Sequence, residues 1–267
     1  MNQFPGRLAI QQRVLPSYRA PFFDLLASAC EGGLSLFTGL PRPGEGITTT
    51  GQLEVAQYRL GQNIHLFNGA LYLCYQRGLI DWLEEWNPDA LIVEANPRYL
   101  STPSAVQWMH KRNKPVLGWG LGAPPVRGSL DERRKSFINR FDGMIAYSRR
   151  GAEEYAALGF PSQKIFVAYN SVSAPPESPP PVRPWKIGRR PYILFVGRLQ
   201  ARKRIDLLLR ACALLDSHPR LVIVGDGPER QKLEALAGEI FPETKFVGAK
   251  HGAELRPYFT EADLFVL

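Results

Sequence analysis

Short apolar runs alternate with longer amphipathic stretches along most of this 267-residue chain. The first of these runs, which we predict to be strands, are "RLAIQQRV", "GLSLFTG", "ALIVEAN", "KPVLGWG", "GMIAYS" and "KIFVAYN". Stretches such as "PFFDLLASACEG", "STPSAVQWMHKRN" and "RGAEEYAALG" lie between them and have the apolar spacing of helices. Strands joined through helices favour right-handed crossovers and a parallel sheet covered on both faces.

A proline-rich segment interrupts this alternation. Six prolines lie between Ala174 and Pro184 in "SVSAPPESPPPVRPW", and such a run fits neither a sheet nor a helix. The alternation then restarts with "PYILFVG" and continues to "DLFVL". We therefore predict two doubly wound α/β domains, at 1–173 and 191–267, joined by a semi-rigid linker at 174–190. A ligand would lie in the cleft between the carboxyl ends of their strands.

The composition narrows the class of protein further. With 45% hydrophobic and 22% charged residues, the chain can bury real cores, and its net charge of +8 is shared between both halves. No dense basic arm of the kind that wraps nucleic acid is present, so the charge favours anionic ligands or an anionic membrane surface, or simply solubility. Cys30, Cys74 and Cys212 stand apart among apolar neighbours, which indicates buried thiols in a reducing compartment. The start lacks a signal peptide, so we expect a cytosolic protein, and peripheral membrane contact stays open.

A basic turn follows the strand "YILFVG". Gly197 ends the strand, and Arg198 and Lys203 precede a helix whose apolar face begins at Ile205. Cations at a helix N-terminus oppose the helix dipole, so a purely structural cap would more often be acidic. Free backbone N–H groups together with two cations suit a diphosphate, although a solvated basic cap is the alternative.

A second turn, "GDGP", follows the next strand of the same domain. Gly225 and Asp226 come directly after the strand, and Pro228 opens the next helix. By itself this is only a turn signal. Its place at the carboxyl end of a strand, beside the basic turn, favours a role in the same site.

Three blocks of the second half, taken together, resemble a known family. "GRLQARK", "LVIVGDGPERQKLEALA" and "KFVGAKHGAELRPYFTEADLFVL" are similar to the C-terminal domain of family 4 glycosyltransferases. The first half resembles the family more loosely, through "QRVLPSYRAPFFDLLA" and "IAYSRRGAEEYAALGFPSQKIFVAYNSV". The resemblance implies a GT-B fold, in which two Rossmann-like domains face a cleft, and retaining sugar transfer from a nucleotide-sugar donor. It implies no cofactor or bound metal.

The resemblance also implies roles for particular residues. Arg198 and Lys203 would hold the donor diphosphate, with Arg204 standing where the family usually has glycine. The residues expected around the donor are Gly197, Arg198, Lys203, Gly225, Asp226, Phe246 and Val247. Of these, Phe246 and Val247 belong to a strand end that would cradle the nucleotide base through its backbone.

The family continues beyond a strand such as "ADLFVL" with a helix that carries two glutamates eight positions apart. The resemblance therefore leads us to expect that the second domain is incomplete here, and it leaves the activity of this chain alone undecided. No catalytic residue can be assigned from the sequence.

Loops at the strand ends of the first domain carry candidate acceptor contacts. These loops are "LPSYRAP", "ANPRY" and "GWGLGAPP", and "AYNS" matches the family's Asn-Gly with Ser171 in place of glycine. Side chains there that can stack on or hydrogen-bond a sugar or a lipid phosphate are Tyr18, Arg19, Asn96, Arg98, Trp119 and Asn170. The family often has a histidine where Trp119 stands, and each residue is equally compatible with loop structure.

The sequence also bears on functions other than glycosyl transfer. "GWGLGA" and "GDGP" are poor dinucleotide motifs, because Pro124, Pro125 and Pro228 stand where a helix or glycines are needed. A non-catalytic basic binding module would interleave aromatic residues with the basic ones, and the basic turn has none. A sugar-nucleotide epimerase or a phosphorylase of the GT-B class stays open. We expect a sugar, lipid-linked or small-molecule acceptor and no nucleic acid.

Overall fold

The computed structural model describes residues 3–123, 129–170, 179 and 190–267. The chain forms two compact units, Met1–Pro175 and Pro176–Leu267. Of the predicted linker at 174–190, only residues 179 and 190 are described. Pro124 and Pro125, which argued against a dinucleotide motif, also lie outside the described residues.

The first unit is built on a parallel sheet of seven strands. The strands of this sheet are β1 (Leu8–Val14), β2 (Leu34–Gly39), β3 (Gln57–Leu60), β6 (Ala90–Glu94), β7 (Val116–Gly120), β8 (Gly143–Ala146) and β9 (Ile165–Val167). The two remaining strands, β4 (Gln62–Leu66) and β5 (Leu73–Arg77), form a separate ribbon. Its helices are α1 (Ala20–Ala27), α2 (Leu79–Trp86), α3 (Thr102–His110), α4 (Ser129–Ile138) and α5 (Arg149–Ala157). The strand order is β3-β2-β1-β6-β7-β8-β9, so the predicted parallel sheet is confirmed.

Successive residues of β1 pack into two different hydrophobic cores, one on each face of the sheet. Ala9 packs with Trp82 of α2 on one face, whereas Leu8 and Ile10 pack with Phe23 of α1 on the other. This alternation follows from the two-residue period of a strand. Because both faces are covered by helices, a central strand such as β6 reads as a nearly continuous apolar run in the sequence.

The chain reverses its direction of winding between β1 and β6. From β1 it proceeds to β2 and β3 on one side, and β6 to β9 follow on the other. Loops that leave neighbouring strands in opposite directions open a crevice at the carboxyl edge, which is where such sheets bind ligands. At this point the amide of Arg13 donates to Glu94 Oε2 over 2.7 Å.

The second unit repeats the design on a smaller scale. Its elements are β10 (Tyr192–Val196), α6 (Ile205–Ala213), β11 (Arg220–Val224), α7 (Arg230–Ile240), β12 (Lys245–Phe246), α8 (Arg256–Glu261) and β13 (Leu264–Val266). The four strands are parallel in the order β12-β11-β10-β13. Of the four residues that the helical spacing predicts for the apolar face of α6, Ile205, Leu209 and Cys212 are buried and Leu208 is partly buried against the same core.

The ribbon β4–β5 was not predicted. It is antiparallel, with Ile64 opposite Tyr75, and the dipeptide Asn68-Gly69 lies in its connecting loop. Such a dipeptide between alternating runs is a strong hairpin signal in a sequence. Gln76 Nε2 anchors the ribbon by donating to the carbonyl of Gln12 over 3.1 Å and to Asn63 Oδ1 over 2.9 Å.

Across the residues that the structure covers, every helix is too short or too polar to cross a lipid bilayer.

Candidate functional site

Three turns of the second unit are hydrogen-bonded to one another at the carboxyl edge of its sheet. The amide of Gly197, after β10, donates to the carbonyl of Val224 over 2.9 Å. The amide of Gly225, after β11, donates to the carbonyl of Gly248, after β12, over 2.8 Å. The amide of Leu199 donates to the carbonyl of Asp226 over 2.9 Å. The basic turn and the "GDGP" turn, separate in the sequence, are therefore one structure.

Two glycines make this close approach of backbones feasible. Gly225 has a φ of +145°, and a Cβ on it would overlap the carbonyl oxygen of Gly197. A Cβ on Gly227 would overlap the carbonyl oxygen of Leu199. The glycines of "GDGP" are thus required by backbone packing, whatever ligand the turns hold.

The two predicted cations belong to this edge. Arg198 follows Gly197 directly and is partly buried. Lys203 ends a 3-10 turn, Ala201–Lys203, just before α6. Its side chain is also partly buried, and no acidic group within the described ranges forms an ion pair with it. A partly buried ammonium that forms no ion pair with the described residues suits an anionic ligand.

Arg204 differs from both cations. It adopts a left-handed conformation with a φ of +50°, which explains why the resembling family prefers glycine at this position. Its side chain is 60% exposed and pairs with Asp206 over 3.1 Å. Its charge is therefore already paired with a carboxylate of α6.

Arg230, the first residue of α7, was missed by the sequence analysis. Its Nη1 lies 3.2 Å from Asp226 Oδ2, and its Nε donates to Glu234 Oε1 over 2.8 Å. The other oxygen of Asp226 accepts from the amide of Gly227 over 2.7 Å. The four-residue spacing of Asp226 and Arg230 was the available signal, since such pairs meet on helical turns.

The expected base-binding residues have structural contacts of their own. Phe246 and Val247 are partly buried and pack against the cores on the two opposite faces of the sheet. The amide of Val247 donates to the carbonyl of Ile223 over 3.1 Å. What this strand end offers a ligand is therefore mainly its backbone.

At the carboxyl edge of the first unit lies a pocket of about 550 Å³. Four of the predicted acceptor-side residues line it together with Glu94 and Tyr147, and these four are Asn96, Arg98, Trp119 and Asn170. Trp119 is only 6% exposed, and its indole Nε1 has no hydrogen-bond partner among the described residues. A buried donor that lacks a partner costs free energy unless a ligand or a water molecule accepts from it.

Arg19 and Tyr18 are not part of the wall of this pocket. Arg19 is 8% exposed, and its guanidinium lies 5.2 Å from the ring of Phe23 and 5.0 Å from the ring of Trp119. Its Nη1 donates to Gln12 Oε1 over 3.1 Å. Tyr18 is 54% exposed. Arg19 thus packs against Trp119 and does not itself line the pocket.

Glu94, at the end of β6, was also missed. Burial raises the pKa of its carboxyl above the ordinary value of 4.5, against the opposing effects of the Arg13 amide and of the charges on Arg13 and Arg19. A carboxyl with a perturbed pKa inside a pocket is a candidate for ligand contact. The signal was the polar end of an otherwise apolar strand, "ALIVE".

No group of three or more His, Cys, Asp or Glu side chains within the described ranges is arranged to hold a metal ion. The three cysteines are buried and free.

Two parallel sheets, each covered by helices, define an α/β protein of the GT-B class. The fold is similar to that of Anabaena Alr3699/HepE in complex with UDP, with a TM-score of 0.64 at 13% identity. That likeness covers 97% of this chain and 72% of the Anabaena chain. Residues 190–267 match the family described as "Glycosyl transferases group 1". The similarity to that family therefore lies in the second unit.

Relatives found by sequence are also named as glycosyltransferases. A GDP-mannose-dependent alpha-mannosyltransferase from Mycobacterium tuberculosis is 38% identical over 84 residues, which is 32% of this chain and 21% of the relative. A lipopolysaccharide 1,6-galactosyltransferase from Salmonella typhimurium is 29% identical over 170 residues, which is 62% of this chain and 44% of the relative. The matches thus span less than half the length of these curated relatives.

Proposed function

We propose that this chain serves the transfer of a sugar from a nucleotide-sugar donor to an acceptor hydroxyl, with retention of the anomeric configuration. The observation that carries the proposal is the joining of two glycine turns beside Arg198 and Lys203, inside the domain that matches group 1 glycosyltransferases. The three buried thiols fit a reducing compartment, so we place the reaction in the cytoplasm.

Arg198 and Lys203 would act on the leaving group. In the transfer, the bond between the anomeric carbon and the diphosphate oxygen breaks, and the acceptor oxygen forms the new bond to that carbon. The hydroxyl proton leaves with the departing nucleoside diphosphate. Negative charge grows on the diphosphate as this bond breaks, and preorganised cations stabilise such charge more than they stabilise the ground state.

The pocket of the first unit is the proposed place of the acceptor. Asn96 and Asn170 supply amide groups, Glu94 supplies a carboxyl, and the indole of Trp119 has a donor to offer. Aromatic faces with a few convergent polar groups suit a sugar ring, whether in a free sugar, a lipid-linked sugar or another small molecule.

The test compares two neighbouring cations by calorimetry with UDP and GDP. A charge-assisted hydrogen bond to phosphate contributes about 1.5–3 kcal/mol. Lys203→Ala should therefore weaken nucleoside diphosphate binding roughly ten- to a hundredfold. Arg204→Ala, which removes the same charge from an exposed ion pair, is the matched control and should change binding little. Equal small losses in both variants would show a diffuse basic surface, and the donor site would have to be abandoned.

A further inference from the structure

The ribbon β4–β5 turns its apolar side chains outward. Cys74 and Gln76 on its inner side are 0% and 1% exposed. On its outer side Ile64 and Tyr75, which are paired in register, are 37% and 44% exposed, and Leu66 is 38% exposed. This is the reverse of the usual alternation, in which the outward side of a ribbon is polar.

The segment that follows β6 widens this apolar surface. The amide of Cys74 donates to the carbonyl of Arg98 over 3.0 Å, and the amide of Leu100 donates to the carbonyl of Cys74 over 2.8 Å. Tyr99, between them, is buried, whereas Arg98 and Leu100 are exposed. Leu100 is 43% exposed.

The loop at the end of the ribbon is the most exposed part. Phe67 is 66% exposed and Leu71 is 74% exposed. We call the whole surface the ribbon face, and it consists of Ile64, Leu66, Phe67, Leu71, Tyr75, Arg77, Arg98 and Leu100. It is continuous with the edge of the sheet that carries the pocket, because Arg98 and Tyr99 also line that pocket.

The exposed charged residues of the ribbon face itself are arginines. The sequence has no Asp or Glu from Val55 to Ile80 and none from Ala95 to Leu130. Arg77 and Arg98 are exposed, and neither forms an ion pair with any residue the structure describes. Two further arginines nearby are already matched, Arg59 by Glu85 over 3.2 Å and Arg42 by Glu45 over 3.2 Å.

We propose that the ribbon face docks on a membrane surface that contains anionic lipids. Aromatic and aliphatic side chains at the loop enter the boundary between headgroups and acyl chains, and the arginines beside them pair with lipid phosphates. A second copy of the chain fits the face less well, because a self-complementary contact would bring the unmatched charges of Arg77 and Arg98 together. The inference deepens the proposed function, on which its biological meaning rests, by bringing the pocket close to a lipid-linked acceptor.

The test is flotation of the purified chain with vesicles of phosphatidylcholine alone and of phosphatidylcholine with phosphatidylglycerol. We expect binding to the anionic vesicles and little to the neutral ones. The variant Phe67→Ser with Leu71→Ser should lose most of this binding. Arg77→Gln and Arg98→Gln should each lower it roughly fivefold, which corresponds to about 1 kcal/mol for each basic residue near an anionic surface.

Matched controls remove equally exposed groups elsewhere. Leu25 is 73% and Leu214 is 84% exposed, so Leu25→Ser with Leu214→Ser removes as much exposed leucine outside the ribbon face. Arg133→Gln removes one exposed charge from α4. These variants should bind the anionic vesicles as the parent chain does.

Equal binding of the ribbon-face and control variants to the anionic vesicles would overturn the proposal. It would also be overturned if the parent chain were a dimer and the variant Phe67→Ser with Leu71→Ser were a monomer with unchanged vesicle binding. Nucleoside diphosphate affinity keeps the two proposals separate. Ribbon-face variants should retain it, whereas Lys203→Ala should lose it and still float with the vesicles.

Discussion

The carbonyl oxygen of Gly197 occupies the space in which a side chain on Gly225 would lie. This contact joins the ends of β10 and β11 and so fixes the basic turn relative to the "GDGP" turn. The arrangement of the proposed donor site is therefore set by backbone packing before any ligand binds.

Gly225→Ala should destabilise the second unit. The alanine would combine an overlap with Gly197 and a positive φ, and backbone strain of this kind costs about 1–3 kcal/mol. Urea unfolding measures the loss. Gly238→Ala is the control, because Gly238 lies inside α7 with open space around it and should gain about 0.5–1 kcal/mol. A Gly225→Ala variant as stable as the parent would contradict the packing described here.

Asp24 should stabilise the first unit in its charged form. Its carboxylate accepts from the amides of Glu54, Val55 and Ala56 over 3.1, 2.8 and 3.0 Å. Burial alone would raise its pKa, but these three bonds lower it below 3.8. The stabilisation is therefore present above pH 3.8 and is lost as the pH falls further. Asp24→Ala should cost about 2 kcal/mol in urea unfolding at neutral pH, and Asp24→Asn less.

Glu94 should have the opposite effect on stability. Because burial raises the pKa of its carboxyl in the folded state, its contribution is present below pH 4.5 and declines as the pH rises through the folded-state pKa. The parent chain should therefore lose stability relative to Glu94→Gln above pH 4.5, by at most about 1.4 kcal/mol per pH unit. Unfolding of both proteins at several pH values tests this, and parallel pH profiles would disprove it.

Arg19 should matter for stability through its packing on Phe23 and Trp119. Arg19→Ala removes a buried guanidinium and leaves Gln12 Oε1 without its donor, which we expect to cost about 2–3 kcal/mol. Arg19→Lys keeps the charge but loses the planar stacking, so its stability should lie between that of the parent chain and that of Arg19→Ala. Thermal unfolding of the three proteins gives the order. A fully stable Arg19→Ala chain would instead favour the acceptor contact that the sequence suggested.

Local patterns in the sequence predicted the two sheets and the position of the basic turn. Strand β10 is apolar throughout and β11 is apolar after Arg220, and Ile205, Leu209 and Cys212 repeat at helical spacing, so short windows were sufficient. The fold class followed from the order of these elements.

Contacts between distant residues account for most of what was missed. Glu94 became a candidate through its burial in the pocket, and in the fold the amide of Arg13, 81 positions away, donates to its carboxyl. No window of sequence contains both partners. The ribbon β4–β5 is a different case, since its signal, Asn68-Gly69, is local, but a hairpin departs from the alternation of strands and helices in the rest of the chain.

The reversal of winding between β1 and β6 has a consequence for how such a chain can change over generations. Loops on the two sides of that point diverge from the sheet, so insertions or substitutions in either one leave the strand register undisturbed. The turns of the second unit have no such latitude, because their backbones touch. Selection can therefore diversify the pocket of the first unit while the glycine turns of the second stay fixed.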